Sequence, residues 1–215
     1  MHKKKSLFIT FEGIEGSGKS YQSHKLQKNL IKRKIPVILT REPGGTVIAE
    51  KIRKIILDDY FYKDSKEKFD KYTDTLLYLA ARNEHVKNKI KPALSRKNVV
   101  ICDRFTDSTL AYQVHGKKVD KSLVDCVHKS ILKDTKPDLT FILKVNILKS
   151  ISRLKKRKNK NRYDKFSKKF YINVQKAFIK IAKSNKKRYV VVENSLDTNK
   201  TEKIILDEVY KHIKK

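Results

Sequence analysis

The chain of 215 residues has no tryptophan, one methionine, two cysteines, four prolines and six glycines. Each scarcity excludes something. Cys102 and Cys126 form no CxxC pair and no metal-like cluster with the six histidines, which rules out a disulfide scaffold or a small zinc module. Both are expected as reduced, buried or half-buried thiols. No apolar run approaches the roughly 20 residues needed to span a bilayer; runs such as Val99-Val100-Ile101-Cys102 have strand length. The basic start, Met1 to Lys5, leads into Leu7-Phe8-Ile9-Thr10-Phe11 and then a glutamate, too short and too polar for a secretory signal. No membrane partner and a cytoplasmic location are expected. Length and a hydrophobic content of 39 % suit one domain over residues 1–215 with a full core.

Positive charge, by contrast, is abundant. The formal net charge is +30, from 43 lysines and 10 arginines against 23 acidic residues. The lysines run from end to end and isoleucine and asparagine are also frequent, a bias of the whole surface more than one groove, so nucleic acid is not the expected partner. Such a field would still draw in anionic nucleotides.

Glycine is rarer than the usual ~7 %, yet five of the six are clustered: Gly13, Gly16 and Gly18 in one octet, Gly44 and Gly45 in one turn, with Gly116 apart. Clustered glycines in a glycine-poor chain point to backbone geometry that other residues do not adopt.

Apolar runs of strand length alternate with helical patterns. Strands are expected at 6–11, 36–40, 98–102, 139–145 and 189–192, each nearly continuous in apolar residues, as in a parallel sheet covered on both faces. Helical spacing of apolar residues predicts helices over 19–34, 46–57, 70–90 and 165–183. A last helix is expected from a capping box, Asn199 with Glu202 three residues on.

Gly13-Ile14-Glu15-Gly16-Ser17-Gly18-Lys19-Ser20 fits G-x-x-x-x-G-K-[ST], with a strand before it and a helix after it. The glycines let successive N–H groups point into one concavity, and the helix N-terminus adds positive potential. Lys19 would reach the β and γ phosphates of ATP and Ser20 would hold Mg²⁺. Asp103, ending the apolar run from Val99, is the carboxylate that would complete the Mg²⁺ shell. The expected class is therefore α/β, a P-loop three-layer α/β/α fold with a five-stranded parallel sheet flanked by helices. Arg41 and Arg104 each follow a strand at the sheet edge that carries the phosphate loop, and Arg82 lies in a helix. A planar, always-charged fork there suits a phosphate or a base edge.

Beyond the phosphate loop, Thr40-Arg41-Glu42-Pro43-Gly44-Gly45-Thr46 resembles the T-R-E-P-G-G-T turn of thymidylate kinases. Leu77-Tyr78-Leu79-Ala80-Ala81-Arg82, Asp103-Arg104-Phe105, Ser108-Thr109-Leu110-Ala111-Tyr112-Gln113 and Lys136-Pro137-Asp138-Leu139-Thr140 are similar to further segments of that family, in the same order. The resemblance implies phosphoryl transfer from ATP-Mg to thymidine monophosphate (dTMP) by a homodimer. It implies that Arg41 and Arg104 grip the acceptor phosphate, that Tyr78 stacks on thymine, and that Arg82 bonds its edge. Ser108 and Gln113 would line the pocket, Tyr112 would exclude a 2′-hydroxyl, and Glu15 would face the acceptor sugar.

Within the phosphate loop no variable position is basic. The chain instead resembles the bacterial type, whose lid carries the arginines, here at about 153–163. Arg153 would stack on adenine and Arg157 would meet the transferred group, with Arg162 beside it. The family more often has Phe at the place of Tyr78, and a glycine-rich stretch where Val114-His115-Gly116-Lys117-Lys118 stands. Two other readings remain open at this point: a kinase for a neighbouring nucleotide such as deoxyuridylate (dUMP), and a nucleotide-dependent nucleic-acid binder.

Overall fold

The computed structural model describes residues 6–57, 69–156, 163, 166–194 and 198–213. The order is β1 (Leu7–Glu12), α1 (Lys19–Lys32), β2 (Val37–Arg41), α2 (Val47–Leu57), α3 (Lys71–His85), α4 (Lys91–Ser95), β3 (Val99–Asp103), α5 (Thr106–Thr109), α6 (Lys121–Leu132), β4 (Leu139–Lys144), α7 (Ile147–Lys155), α8 (Lys168–Lys183), β5 (Tyr189–Glu193) and α9 (Thr198–Ile213). π-helical turns join α3 to α4 (Val86–Ile90) and continue α5 (Leu110–Gly116).

The five strands form one parallel sheet in the order β2-β3-β1-β4-β5. β1 sits in the middle and every one of its residues is buried. Its alternate side chains divide the core by the pleat. Leu7, Ile9 and Phe11 pack with Leu26 and Leu30 of α1 and Ile205 and Val209 of α9. Phe8 packs on the other face with Val100, Cys102, Phe105, Val86 and Ile90. Burial on both faces is why these strands read as unbroken apolar runs, and the expected α/β/α layering is what the chain forms.

Because every strand runs the same way, all five carboxyl ends lie along one edge. The chain passes from β1 outward to β2, returns to β3, then crosses to β4 on the far side of β1. The loops after β1 and β3 thus flank the point where the winding reverses, the crevice in which open α/β sheets bind ligands.

Several expectations are corrected in detail. α9 begins at Thr198, so Asn199 lies inside its first turn and is not the cap. α8 begins at Lys168, with Ser167 as the N-cap whose hydroxyl accepts from the Phe170 N–H at 3.2 Å. The helix expected over 70–90 is α-helical only to His85. Cys102 is buried but Cys126 is exposed, contrary to the expectation for both. Among the described residues four helices are additional to those expected: α4, α5 with its π-helical extension, α6 and α7. No helix among the described residues is long and apolar enough to cross a membrane.

Candidate active site

The loop after β1 needs three left-handed glycines, with φ of 139° at Gly13, 68° at Gly16 and 90° at Gly18. Gly18 is also a close approach: a Cβ there would lie 2.5 Å from the Asn194 amide nitrogen, which donates to the Ser17 carbonyl at 2.6 Å. Ile14 turns its side chain into the core. The Lys19 ammonium folds back across the loop, donating to the Ile14 carbonyl at 2.7 Å and to Ser17 Oγ at 3.4 Å. Burial, reinforced by the Arg104 charge, lowers its pKa to about 8. A lysine held there at such cost is poised for an anion.

β3 delivers the next group. Asp103 Oδ2 accepts from the Ser20 hydroxyl at 2.5 Å, bringing together the two oxygen donors expected to hold the metal. Arg104 follows with a φ of 73°, uncommon outside glycine. Its turn is pinned on all sides: the Arg104 N–H donates to Phe11 O at 2.9 Å, the Phe105 N–H to Glu12 Oε1 at 2.7 Å, and the Glu42 N–H to Asp103 O at 3.0 Å. The guanidinium donates to Gly13 O and Glu15 Oε1, both at 2.9 Å, and to Ser108 Oγ at 3.1 Å. Glu15 also accepts from the Tyr112 hydroxyl. Beneath them Glu12 is buried, accepts from Ser108 Oγ at 2.6 Å, and is pushed up to about pKa 8 by burial and by Asp107. A strained residue held this firmly is characteristic of functional sites.

These groups open into a cavity of about 470 Å³ that also holds Arg41, Tyr78, Arg82, Tyr112, Gln113 and Arg153. Arg41 stands at the mouth, bonded to both oxygens of Glu50 at 3.1 Å. Arg153, on α7, donates to the Gly16 carbonyl at 3.0 Å. Arg82 is deep: four of its five donors meet Glu42 Oε2 (2.7 Å), Thr109 Oγ1 (2.8 Å), His128 Nε2 (2.7 Å) and Phe105 O (2.9 Å). Arg157 and Arg162 lie outside the described residues.

The cavity has further walls that the sequence did not announce. Arg53 of α2 lines it and donates to Pro43 O at 2.7 Å; burial lowers its pKa, and the Arg41 and Arg104 charges add to the effect. Its one signal was being an arginine in a chain that uses lysine nearly everywhere. Tyr163 closes the far end, where its hydroxyl accepts from the Tyr78 hydroxyl at 2.5 Å and its ring meets those of Tyr78 and Tyr112 edge-on. Among the described residues no group of three or more His, Cys, Asp or Glu could hold a metal. Two protein oxygens, Ser20 and Asp103, suit Mg²⁺, which keeps waters and substrate phosphates as its other ligands.

The cavity thus joins the glycine-rich loop of Gly13 to Ser20 at one end to an aromatic, arginine-lined pocket at the other. A family model described as Thymidylate kinase matches residues 11–205. The chain is 39 % identical to the thymidylate kinase of Mycoplasma capricolum subsp. capricolum over 215 residues, covering 97 % of this chain and 99 % of that relative. It is 41 % identical to the thymidylate kinase of Ehrlichia chaffeensis over 205 residues, with coverage of 94 % and 93 %. The crystal structure of thymidylate kinase from Ehrlichia chaffeensis superposes with a TM-score of 0.75 at 36 % identity, over 96 % of this chain and 99 % of that one. On its fold, its site and its relatives, the chain belongs to the thymidylate kinase family.

Proposed function

We propose that this chain transfers the γ-phosphoryl group of ATP to thymidine 5′-monophosphate, giving ADP and the diphosphate, with the residues of the cavity in the following roles. The observation that carries the assignment of the acceptor end is the convergence of Arg41, Arg53 and Arg104 on one concavity, close enough for Arg41 and Arg104 to depress the pKa of Arg53. Three guanidinium groups repel one another there, and a phosphate dianion among them would turn the repulsion into attraction.

The loop of Gly13 to Ser20 receives the β and γ phosphates through its backbone N–H groups, with Lys19 neutralising charge on the oxygens. Ser20 and Asp103 would hold Mg²⁺, which would supply positive charge to offset the negative charge that grows on the phosphate oxygens. Arg104 reaches between donor and acceptor, anchored by Gly13 O on one side and Glu15 on the other. Glu15 and Tyr112 form the wall against the sugar, and Tyr78 lies against the base. In-line transfer needs positioning and charge more than covalent help, so these residues align the acceptor oxygen and exclude water. Arg157 and Arg162 would close over the transferred group, and Arg153 over adenine. Exposed apolar residues Val47, Ile48 and Ile55 on α2 and Leu76 on α3 support the homodimer that the family resemblance implies. The use of ATP supports a cytoplasmic location.

The test is ADP release with ATP-Mg and, in turn, thymidylate, dUMP, cytidylate or adenylate at physiological salt. Turnover led by thymidylate supports the pocket assignment. Turnover led by another monophosphate overturns the roles of Tyr78, Arg82 and Ser108, and no turnover from folded protein that binds ATP overturns the reaction.

ATP affinity should depend on pH through Lys19. Its pKa, lowered to about 8, rises once phosphate oxygens surround it, so binding takes up a proton above pH 8. Affinity then falls as pH climbs past 8, while below that value Lys19 is already charged and adds no slope. Calorimetry at pH 8.5 in buffers of different ionisation enthalpy should show uptake of a fraction of a proton. The uptake should vanish in Lys19→Ala; persistence there would assign it to another group.

A further inference from the structure

We infer that His128 is a positioning residue for acceptor recognition, whose Nε2 fixes the orientation in which the Arg82 guanidinium faces the base. This rests on the reading that Arg82 meets the base edge. His128 lies on α6, in an inward stripe with Val124 and Leu132 at four-residue spacing. It is outside the walls of the cavity, and it touches Arg82 from behind, Nη1 to Nε2 at 2.7 Å.

The hydrogen count shows what this contact does. Both hydrogens on Nη1 are engaged, one by Thr109 Oγ1 and one by His128 Nε2; Nε is held by Glu42 and Nη2 donates to Phe105 O. One Nη2 hydrogen is left over, and its direction in the guanidinium plane follows from the other four. Glu42 is itself fixed, since its second oxygen bonds His85 Nδ1 at 3.0 Å and His85 Nε2 bonds Thr40 Oγ1 at 2.7 Å. Without an acceptor at 128, a buried Nη1 hydrogen has no partner and the fork can pivot about Glu42.

Toward Arg82 the His128 Nε2 serves as a lone-pair acceptor, so the imidazole must be neutral with the proton on Nδ1. Burial and the Arg82 charge hold its pKa down at about 3, so it stays neutral at any pH near neutrality. A donor aimed by this brace suits a base with a carbonyl acceptor at its edge, as thymine has, and opposes the amino group that cytosine carries at the same position. The selectivity of the pocket for a keto pyrimidine over an amino pyrimidine is therefore the property His128 should control.

Steady-state kinetics of the full chain tests this. His128→Leu keeps most of the volume but cannot accept a hydrogen bond; His128→Gln places an oxygen near the Nε2 position. Leucine should raise KM for thymidylate about tenfold and reduce the preference for thymidylate over deoxycytidylate by a similar factor. Turnover number and KM for ATP should change less than about threefold, and glutamine should restore most of the loss. In an Arg82→Met background, His128→Leu should add nothing further. If leucine does not fold, His128→Ala serves as the acceptor-free variant. An unchanged KM in His128→Leu, with Arg82→Met still impaired, would overturn the inference and leave the Arg82 reading intact. Equal losses in the leucine and glutamine variants, with ATP binding and melting temperature falling together, would overturn it in favour of a packing role. An unchanged KM in Arg82→Met would overturn the Arg82 reading itself, and the inference with it.

Discussion

Arg104→Ala should lower kcat/KM for thymidylate by about a thousandfold, roughly 4 kcal/mol of transition-state stabilisation. Three features support so large an effect. Arg104 is the residue that joins the phosphate loop, through Gly13 O and Glu15, to the acceptor wall, through Ser108. Its charge is held firmly: although burial opposes ionisation, Tyr112, Glu15, Asp103 and Glu12 push its pKa further above the ordinary arginine range. Its backbone is held at a φ of 73°, which costs on the order of 1–2 kcal/mol and persists because the surrounding turn over-determines it. Arg104→Lys should recover little, because one ammonium cannot span Gly13 O, Glu15 and Ser108 at once. Melting temperature separates the causes, since a folded, ATP-binding Arg104→Ala protein with this loss places the defect in transfer. A loss smaller than about tenfold would remove Arg104 from the acceptor site.

Lys19→Ala should reduce turnover by about two to three powers of ten and weaken ATP binding, while leaving the protein as stable as before or more so. The two halves of this expectation come from one geometry. Lys19 is 6 % exposed, and its ammonium is satisfied by a carbonyl and a hydroxyl, with no carboxylate of the described residues in contact. Its pKa in the folded chain lies below its unfolded value, so it binds its proton less tightly in the native state. Stability therefore rises as pH climbs from about 8 toward the unfolded value, and below pH 8 the full cost of the buried charge is present. Alanine removes that cost together with the contact to the phosphates. A loss of activity accompanied by a clear fall in melting temperature would mean that Lys19 supports the loop, and would count against its role at the phosphates.

The part of the site legible in the sequence is the part made by short, contiguous backbone. Three glycines within six positions, followed by Lys19-Ser20, specify a loop whose N–H groups converge, because the φ values it requires are those of glycine. Asp103 and Arg104 were legible for a related reason. An apolar strand ending in a charged pair says where the sheet stops and what it presents at its edge. Arg82 was legible as a candidate, but its partners were not, since Glu42, Phe105, Thr109 and His128 come from four places between 23 and 46 residues away in sequence. His128 itself interrupted the apolar stripe of α6, and so hid both the helix and its own role. Arg53 was hidden by the amphipathic pattern of α2, where a basic residue reads as solvated surface. Tyr163 was obscured by the lysines and arginines before it.

Sequence alone determined the class of the fold and the glycine-dependent conformation of the loop after β1, because hydrophobic runs of strand length and glycine-dependent dihedral angles are local properties. It also determined the family, through segments whose order and composition match it along nearly the whole chain. What only the tertiary structure decided is which side chains share one cavity and what each is bonded to. Parallel pairing of β3 between β2 and β1, and of β4 on the other side, brings the loops of distant segments to one edge. Burial there then determines which cations carry a desolvation cost, as Lys19 and Arg53 do, and which histidine stays neutral behind Arg82. Those are long-range consequences of packing, carried by distances of a few ångströms between residues that the chain keeps far apart.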